Sequence, residues 1–546
     1  MPPSSYLKSH LKSPHKGPGK NGLVAAGHPA TAEAGAYILR DGGNAVDASI
    51  AAVCTSFIAE PVLTSAGGGG FMLVHNKASG ACLYDGFSRM PTKQMDSLLY
   101  PDFKAIPIDF GDTIQTFHTG QASVGTPSLL AMLFQAHKKH GRLPLQAVMQ
   151  PAIDAARSGI MLNQLQASFI SLLKPILTAQ LPCRQLYTQR DEMLKDGDSF
   201  TNPDLANTLE MLTLEGIREM YEGDLARTIT ASVQPGGVLS MQDMASQQVH
   251  IRKPLSYDLF GGTLLTNTPP SSGGCLIIFA AKLLEQLLTQ YPQRPYPVLL
   301  AEALRETSHS RGHDFDHQVH QKDMANHFLA ESRIQHSLQA IRNRLDGNLS
   351  DTQAEPENRH GSTTHISVVD ADGMAVSTTT SNGEGSGIVV PGTGIHLNNM
   401  LGEEDINPMG FHQLPAGETL SSMMAPTILI KNGRPVLTLG SGGSNRLRGA
   451  ILQVISRHIL LGEPIEQAVY APRLHNEGNV LDVEPGESGK GLNHETRDQL
   501  LKLGWDIRDW EKQSVYFGGV HAINMDEKGY LHGAGDPRRG GSIAWA

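Results

Sequence analysis

Cysteine is scarce and unpatterned in this chain. Its four residues, Cys54, Cys82, Cys183 and Cys275, stand far apart with no CxxC spacing, which offers neither a zinc site nor a disulfide framework and fits reduced thiols in a cytosolic setting. Aromatic residues make up only 5 % of the chain. No stretch approaches the roughly 18 consecutive apolar residues of a membrane span. The first twenty residues, MPPSSYLKSHLKSPHKGPGK, hold no apolar core of the kind a signal peptide needs. These absences together predict a soluble, cytoplasmic protein that does not associate with membranes. A basic patch is missing as well: the net charge of −10 is spread along the sequence, leaving no electrostatic footprint for nucleic acid.

What is present fits a large enzyme. The chain has 546 residues, 40 % hydrophobic and 57 of them glycine, enough for one large core or two ordinary ones, with backbone running close to backbone. Residues 1–22, rich in proline, lysine and serine, read as a disordered arm. From His28 to Phe57 the pattern predicts a helix, a break at Gly42 and Gly43, and a second helix capped by Asn44. Gly67 to Gly70 lead into the alternating run FMLVH, with a second strand from Gly80 to Asp85. Residues 125–345 read as mostly helical. Residues 351–362, DTQAEPENRHGS, read as a mobile surface connection. After it come THISVVD, an Asp372-Gly373 turn and MAVSTTT, a hairpin signal. VHAINMD and YLHGAG form another near the end. Helices flanking two groups of strands predict an α+β fold, a four-layer α/β/β/α sandwich.

The stretch HGSTTHISVVDADGMAVSTTTSNGEGSG around Thr363 resembles the start of the small subunit in the γ-glutamyltransferases, which belong to the N-terminal nucleophile hydrolases. The resemblance implies self-cleavage at the Ser362–Thr363 bond. It divides the chain into a large-subunit region, 23–362, and a small catalytic region, 363–546, intertwined in one globular unit. The chemistry has its own logic. A threonine hydroxyl is a weak nucleophile without a base in reach. A freed α-amine, with a reference pKa of about 7.7–8.0, can serve as that base, whereas an internal threonine has only an amide.

Further blocks carry the resemblance. ETLSSMMAPT at 418–427 is similar to the family's block whose paired serines hold a substrate α-carboxylate, which implies that role for Ser421 and Ser422. TLGSGGSNR at 438–446 resembles its glycine-rich loop, implying an oxyanion hole at Gly442 and Gly443, where close approach to the main chain suits glycine. Other matches are GGNAVDASIAA at 42–52, EPVLTSAGGGGFM at 60–72, GGVLSMQDMA at 236–245, PPSSGG at 269–274, GTGIHLNNM at 392–400, APRLH at 471–475 and GAGDPR at 533–538. The hydroxyl that supports the nucleophile is assigned to Thr380, with Ser381 as the alternative, and the substrate-binding asparagine is Asn382. The carboxylate that meets a donor's α-amine is Glu403, with Glu404 and Asp405 as alternatives. The resemblance implies no cofactor and no metal.

One block departs from the pattern. Where relatives have Asp-x-Arg-Glu-x-Ala-Pro, this chain has Asp85-Gly86-Phe87-Ser88-Arg89-Met90-Pro91. If the segment is extended, Arg89 shares the face of Phe87 and supplies the missing charge; alternatively Phe87 makes a more apolar pocket suited to a glutaryl or cephalosporin side chain. The short interval from Glu403 to Ser421 predicts an open cleft. His309, His313 and His317, with Asp314, Asp316 and His320 nearby, could line one helical face for a metal, but read rather as a polar surface. The expected function is transfer of an acyl group from a γ-glutamyl amide, glutathione by default, to water or an amine. A different acylase and a non-catalytic binding protein on the same fold are the rivals.

Overall fold

A computed structural model describes residues 21–110, 114–347, 361–486 and 491–546, with only the backbone of residues 313 and 314. The arm, but for its last two residues, and residues 351–360 of the connection lie outside the described residues. Two sheets form the centre. The first runs in the order β4 (His250–Arg252), β3 (Gly80–Gly86), β2 (Gly69–Asn76), β8 (Ala375–Ser381), β7 (Thr364–Asp370), β1 (Gly22–Ala26) and β13 (Ser542–Trp545). The second runs β5 (Leu255–Leu259), β6 (Gly262–Thr266), β9 (Thr427–Lys431), β10 (Arg434–Gly442), β11 (Gly519–Met525) and β12 (Leu531–Ala534). Both sheets combine strands from before and after Thr363.

The sequence builds three apolar seams by strand alternation. Leu23, Ala25, Phe71, Leu73 and Val369 point inward to meet Leu265, Ile428 and Ile523 of the other sheet. Their neighbours Val24, Ala26, Met72, Val74 and Val368 point outward, against α1 (Pro29–Arg40), α2 (Ala45–Ala59) and α3 (Leu129–His140). On the far side Leu264, Leu429, Leu437 and Val520 pack under α4 (Gly273–Gln290) and α7 (Arg446–Ile459), with α5 (Tyr296–Gln318) and α6 (Glu331–Leu345) beyond. This is the four-layer sandwich, helices outside and two sheets within.

Local signals explain the elements. The Asn44 side chain accepts hydrogen bonds from the backbone N–H groups of Val46 and Asp47, and the Asn44 N–H donates to the Asp47 carboxylate, a capping box. Small residues let every position of α2 be buried. Among the described residues, strands β4 to β6 and four two-residue strands, at 160–161, 188–189, 192–193 and 199–200, interrupt the region read as mostly helical. β4 and β5 are half-buried sheet edges and β6 lies one strand in from the edge, each only three to five residues long and too short to show a clear period. The histidine spacing does not make one helical face: α5 breaks at Gly312, whose φ of 48° and ψ of −174° separate His309 from His317.

Candidate active site

Thr363 stands at the head of β7, in the middle of the first sheet, where β10 of the second sheet crosses close by. The crossing is possible because β10 lacks side chains at the contact. A Cβ on Gly440 would lie 2.4 Å from Cε1 of His365, and one on Gly442 would lie 2.2 Å from the carbonyl oxygen of Thr363. Here the seam turns polar. His365 is bound between Thr379 and Ser367, at 2.8 and 3.0 Å, and burial holds it neutral, well below the ordinary imidazole range. Ser367 and Ser377 donate across to the carbonyls of His521 and Leu439. Gly443 follows with φ of 124°, packed on Gly518.

Ser362 and Thr363 are buried, 4 % and 5 % exposed. For Ser362 this overturns the expectation of a mobile surface position. Its side chain donates to Glu384 at 2.7 Å, and its carbonyl oxygen accepts a hydrogen bond from Ser381. The Ser381 hydroxyl in turn accepts from the N–H of Gly383 at 2.9 Å, so its own proton is free for Ser362. Thr380 is placed elsewhere: its hydroxyl pairs with that of Thr64 at 2.9 Å. Strand register decides between them. Thr364 pairs with Thr380, so one step further Thr363 comes opposite Ser381, and successive side chains point to opposite faces. The geometry therefore favours the alternative, Ser381, over Thr380.

Sequence reasoning missed three charged groups at the site. Arg539 is buried and donates to the carbonyl of Thr363 at 3.2 Å. Burial lowers its pKa to about 10 against the pull of Glu384, Asp536 and Glu60. The turn carrying it is anchored by Asp536, bound to Arg473, and by Arg538, forked onto Glu484. Glu60 accepts from the hydroxyls of Thr364 and Thr31, and burial pushes it up to about 7. Glu384 is likewise pushed up to about 7. The GAGDPR and EPVL blocks pointed to these neighbourhoods, but nothing local singles out the residues.

The candidate substrate residues divide. Asn382 is fully buried, and its side-chain oxygen finds no partner among the described residues. Glu403 is buried and accepts from the N–H of Glu384 at 2.9 Å; burial and the neighbouring Asp405 and Glu384 hold it well above the carboxylate range. Glu404 is exposed, and Asp405 accepts from Ser444 at 2.6 Å. Ser421 and Ser422 are buried on the PPSSGG turn. Ser421 donates to the carbonyl of Pro270 at 3.2 Å, and the carbonyl of Ser422 accepts from Ser271 and Ser272.

Arg89 and Phe87 do not share a face, because β3 ends at Gly86 and strand alternation ends with it. Phe87 lies in the seam between the sheets, stacked on Phe71 at 5.4 Å. The guanidinium of Arg89 instead meets His250 at 2.7 Å on the edge strand β4. The loop after Glu403 folds down through Gly417 and Glu418, which bond the backbone of Met90, and through Phe411, 4.5 Å from His118.

A four-layer sandwich with a threonine at the head of a central strand is the fold of the N-terminal nucleophile hydrolase type. The cephalosporin acylase of Bacillus halodurans has the same fold, with a TM-score of 0.78 at 24 % identity over 97 % of this chain and 96 % of that one. The profile of the Gamma-glutamyltranspeptidase family matches residues 31–546. The chain belongs to that family, and is an enzyme of it. It is 31 % identical to the glutathione hydrolase proenzyme of Bacillus subtilis (strain 168), over 96 % of this chain and 91 % of that protein. It is 27 % identical to the capsule biosynthesis protein CapD proenzyme of Bacillus anthracis, over 95 % and 90 %.

Proposed function

We propose that this chain cleaves itself before Thr363 and then hydrolyses or transfers the acyl group of γ-glutamyl amides. In the first reaction the Thr363 hydroxyl oxygen bonds to the carbonyl carbon of Ser362. The bond from that carbon to the Thr363 nitrogen breaks, and the hydroxyl proton passes to the nitrogen. Water then opens the resulting ester, leaving a Ser362 carboxylate, the restored hydroxyl and a free α-amine. The observation that carries this proposal is the Ser381 hydroxyl donating to the Ser362 carbonyl oxygen, the atom on which negative charge develops.

In the mature enzyme the α-amine takes the Thr363 proton while the hydroxyl attacks a donor. Gly442 and Gly443 supply the oxyanion donors, and the acyl group waits on Thr363 for water or an amine. The large and small fragments stay together as a heterodimer, and the chemistry calls for no cofactor. The acidic group formed by Glu403 and Asp405, with the unpartnered oxygen of Asn382, suits a donor that carries an ammonium group. That supports a γ-glutamyl donor, glutathione by default. The engagement of Arg89 with His250 favours a second reading, an acylase for glutaryl or cephalosporin amides, since it leaves the donor's carboxylate to Ser421 and Ser422.

N-terminal sequencing of the purified protein tests the first step: a polypeptide beginning Thr363-Thr364-His365-Ile366 is expected, and none from Thr363→Ala. A single chain that still acts sinks the cleavage proposal, and a wild type that never divides and hydrolyses nothing leaves the binding-protein alternative. Matured enzyme is then given a γ-glutamyl anilide and a glutaryl anilide. Faster release from the second would reverse the donor assignment.

A further inference from the structure

Self-cleavage asks more of the precursor than a nucleophile. The acyl side of the scissile bond must be held still, yet Ser362 belongs to no strand or helix. Three bonds fix it. One is from Ser381 to its carbonyl oxygen; another runs from its own hydroxyl to Glu384 at 2.7 Å, and its backbone N–H donates to the same carboxylate. Glu384 is itself immobile. Its backbone N–H donates to Asn399 at 2.8 Å and to Glu403 at 2.9 Å, and the residue is 2 % exposed. The charged groups facing it are Arg539 from the turn after β12, and Glu403 and Asp405 from the segment after Asn399. A carboxylate so placed has no role in the attack on the Ser362 carbonyl and touches the reacting residue through its hydroxyl and its backbone N–H.

We propose that Glu384 is the positioning residue of self-cleavage: by holding the Ser362 hydroxyl it sets the Ser362 carbonyl between Ser381 and the Thr363 hydroxyl. This rests on the cleavage proposed above. The bond is charge-assisted when the acid is ionised and weakens when it is protonated. Burial pushes Glu384 up to about 7, so cleavage should quicken as pH rises through neutrality, with the rise transmitted through Ser362.

The test follows labelled full-length chain after brief cell-free translation, diluted into buffers from about pH 5.5 to about 8.5 and resolved on gels, since that range brackets the titration. At pH 8, Glu384→Gln and Ser362→Ala should each slow cleavage about 10- to 100-fold, the range set by losing a hydrogen bond to a charged group. The double variant should be no slower than Glu384→Gln alone, because the hydroxyl contact that Ser362→Ala removes ends on that same carboxylate. Glu384→Gln should lose the rise through neutrality, Ser362→Ala should keep only the part carried by the backbone N–H, and Ser362→Thr, which keeps the hydroxyl, should cleave within about threefold of wild type. Wild-type rates in either single variant, losses that multiply in the double, or an unchanged pH profile in Glu384→Gln would overturn the proposal. A wild type that never yields Thr363 as a new N-terminus removes the cleavage reading itself, a result distinct from any of these.

Discussion

The choice between two adjacent hydroxyls is the sharpest test of the site. Removing the Ser381 hydroxyl by Ser381→Ala takes away a donor aimed at the oxygen where charge accumulates, and the loss of one such donor costs about 10²- to 10³-fold in rate. The change leaves no buried hydroxyl stranded, since Ser381 bonds only the Ser362 carbonyl and the Gly383 N–H. Thr380→Val keeps the shape of its side chain and removes the bond to Thr64 at 2.9 Å. Thr64 is 2 % exposed, so its hydroxyl is left without water, a cost of about 1–3 kcal/mol in stability. Cleavage in this variant should stay within about threefold of wild type, because no donor to the oxyanion is lost. The time course of labelled precursor gives the rates. Urea unfolding of the same substitutions in an uncut Thr363→Ala background gives the stabilities. A slower cleavage in Thr380→Val than in Ser381→Ala would refute the assignment and restore Thr380 as the supporting hydroxyl.

Two further outcomes follow from packing and burial. Gly442→Ala places a Cβ 2.2 Å from the Thr363 carbonyl oxygen, a backbone atom that cannot swing aside; a displacement near 1 Å should slow cleavage about 10²-fold, visible as persistent full-length chain on the same gels. His396 lies 3.3 Å from the Tyr187 hydroxyl, and burial lowers its pKa to about 4 from 6.5. It stays neutral in the fold while the unfolded chain takes up a proton, so its contribution is whole above pH 6.5 and is lost as pH falls toward 4, roughly 3 kcal/mol in all. Denaturant midpoints of Thr363→Ala at pH 7 and 4.5 should therefore differ more than those of the same protein carrying His396→Gln. Equal differences would show that His396 does not titrate with the fold.

Much of the architecture was legible from local chemistry. Asn44 caps the second helix as predicted, with Asp47 completing a capping box, and the hairpin on either side of Gly373 forms from alternating β-branched residues. The family could be read from a Thr-Thr-His triplet opening a strand, together with the glycine-rich and paired-serine blocks. The helical reading of the middle of the chain missed β4 to β6, because half-buried strands of three to five residues carry little periodicity.

The sequence alone determined which residues could do the chemistry, since hydroxyl, amine and glycine backbone are properties of residue type. Tertiary structure decided which of them do meet. A two-residue turn at Asp372-Gly373 would set Asn382 opposite Thr363. The turn has a third residue, closing between Asp370 and Met374, so Ser381 takes that place. Arg539 and Glu60 reach the Thr363–Thr364 pair from 176 and 304 residues away. Phe87 leaves the arginine slot for the seam because β3 ends one residue before it. Such meetings arise only when two sheets close on one another, for no short-range pattern records which distant side chain will fill a space left by glycine.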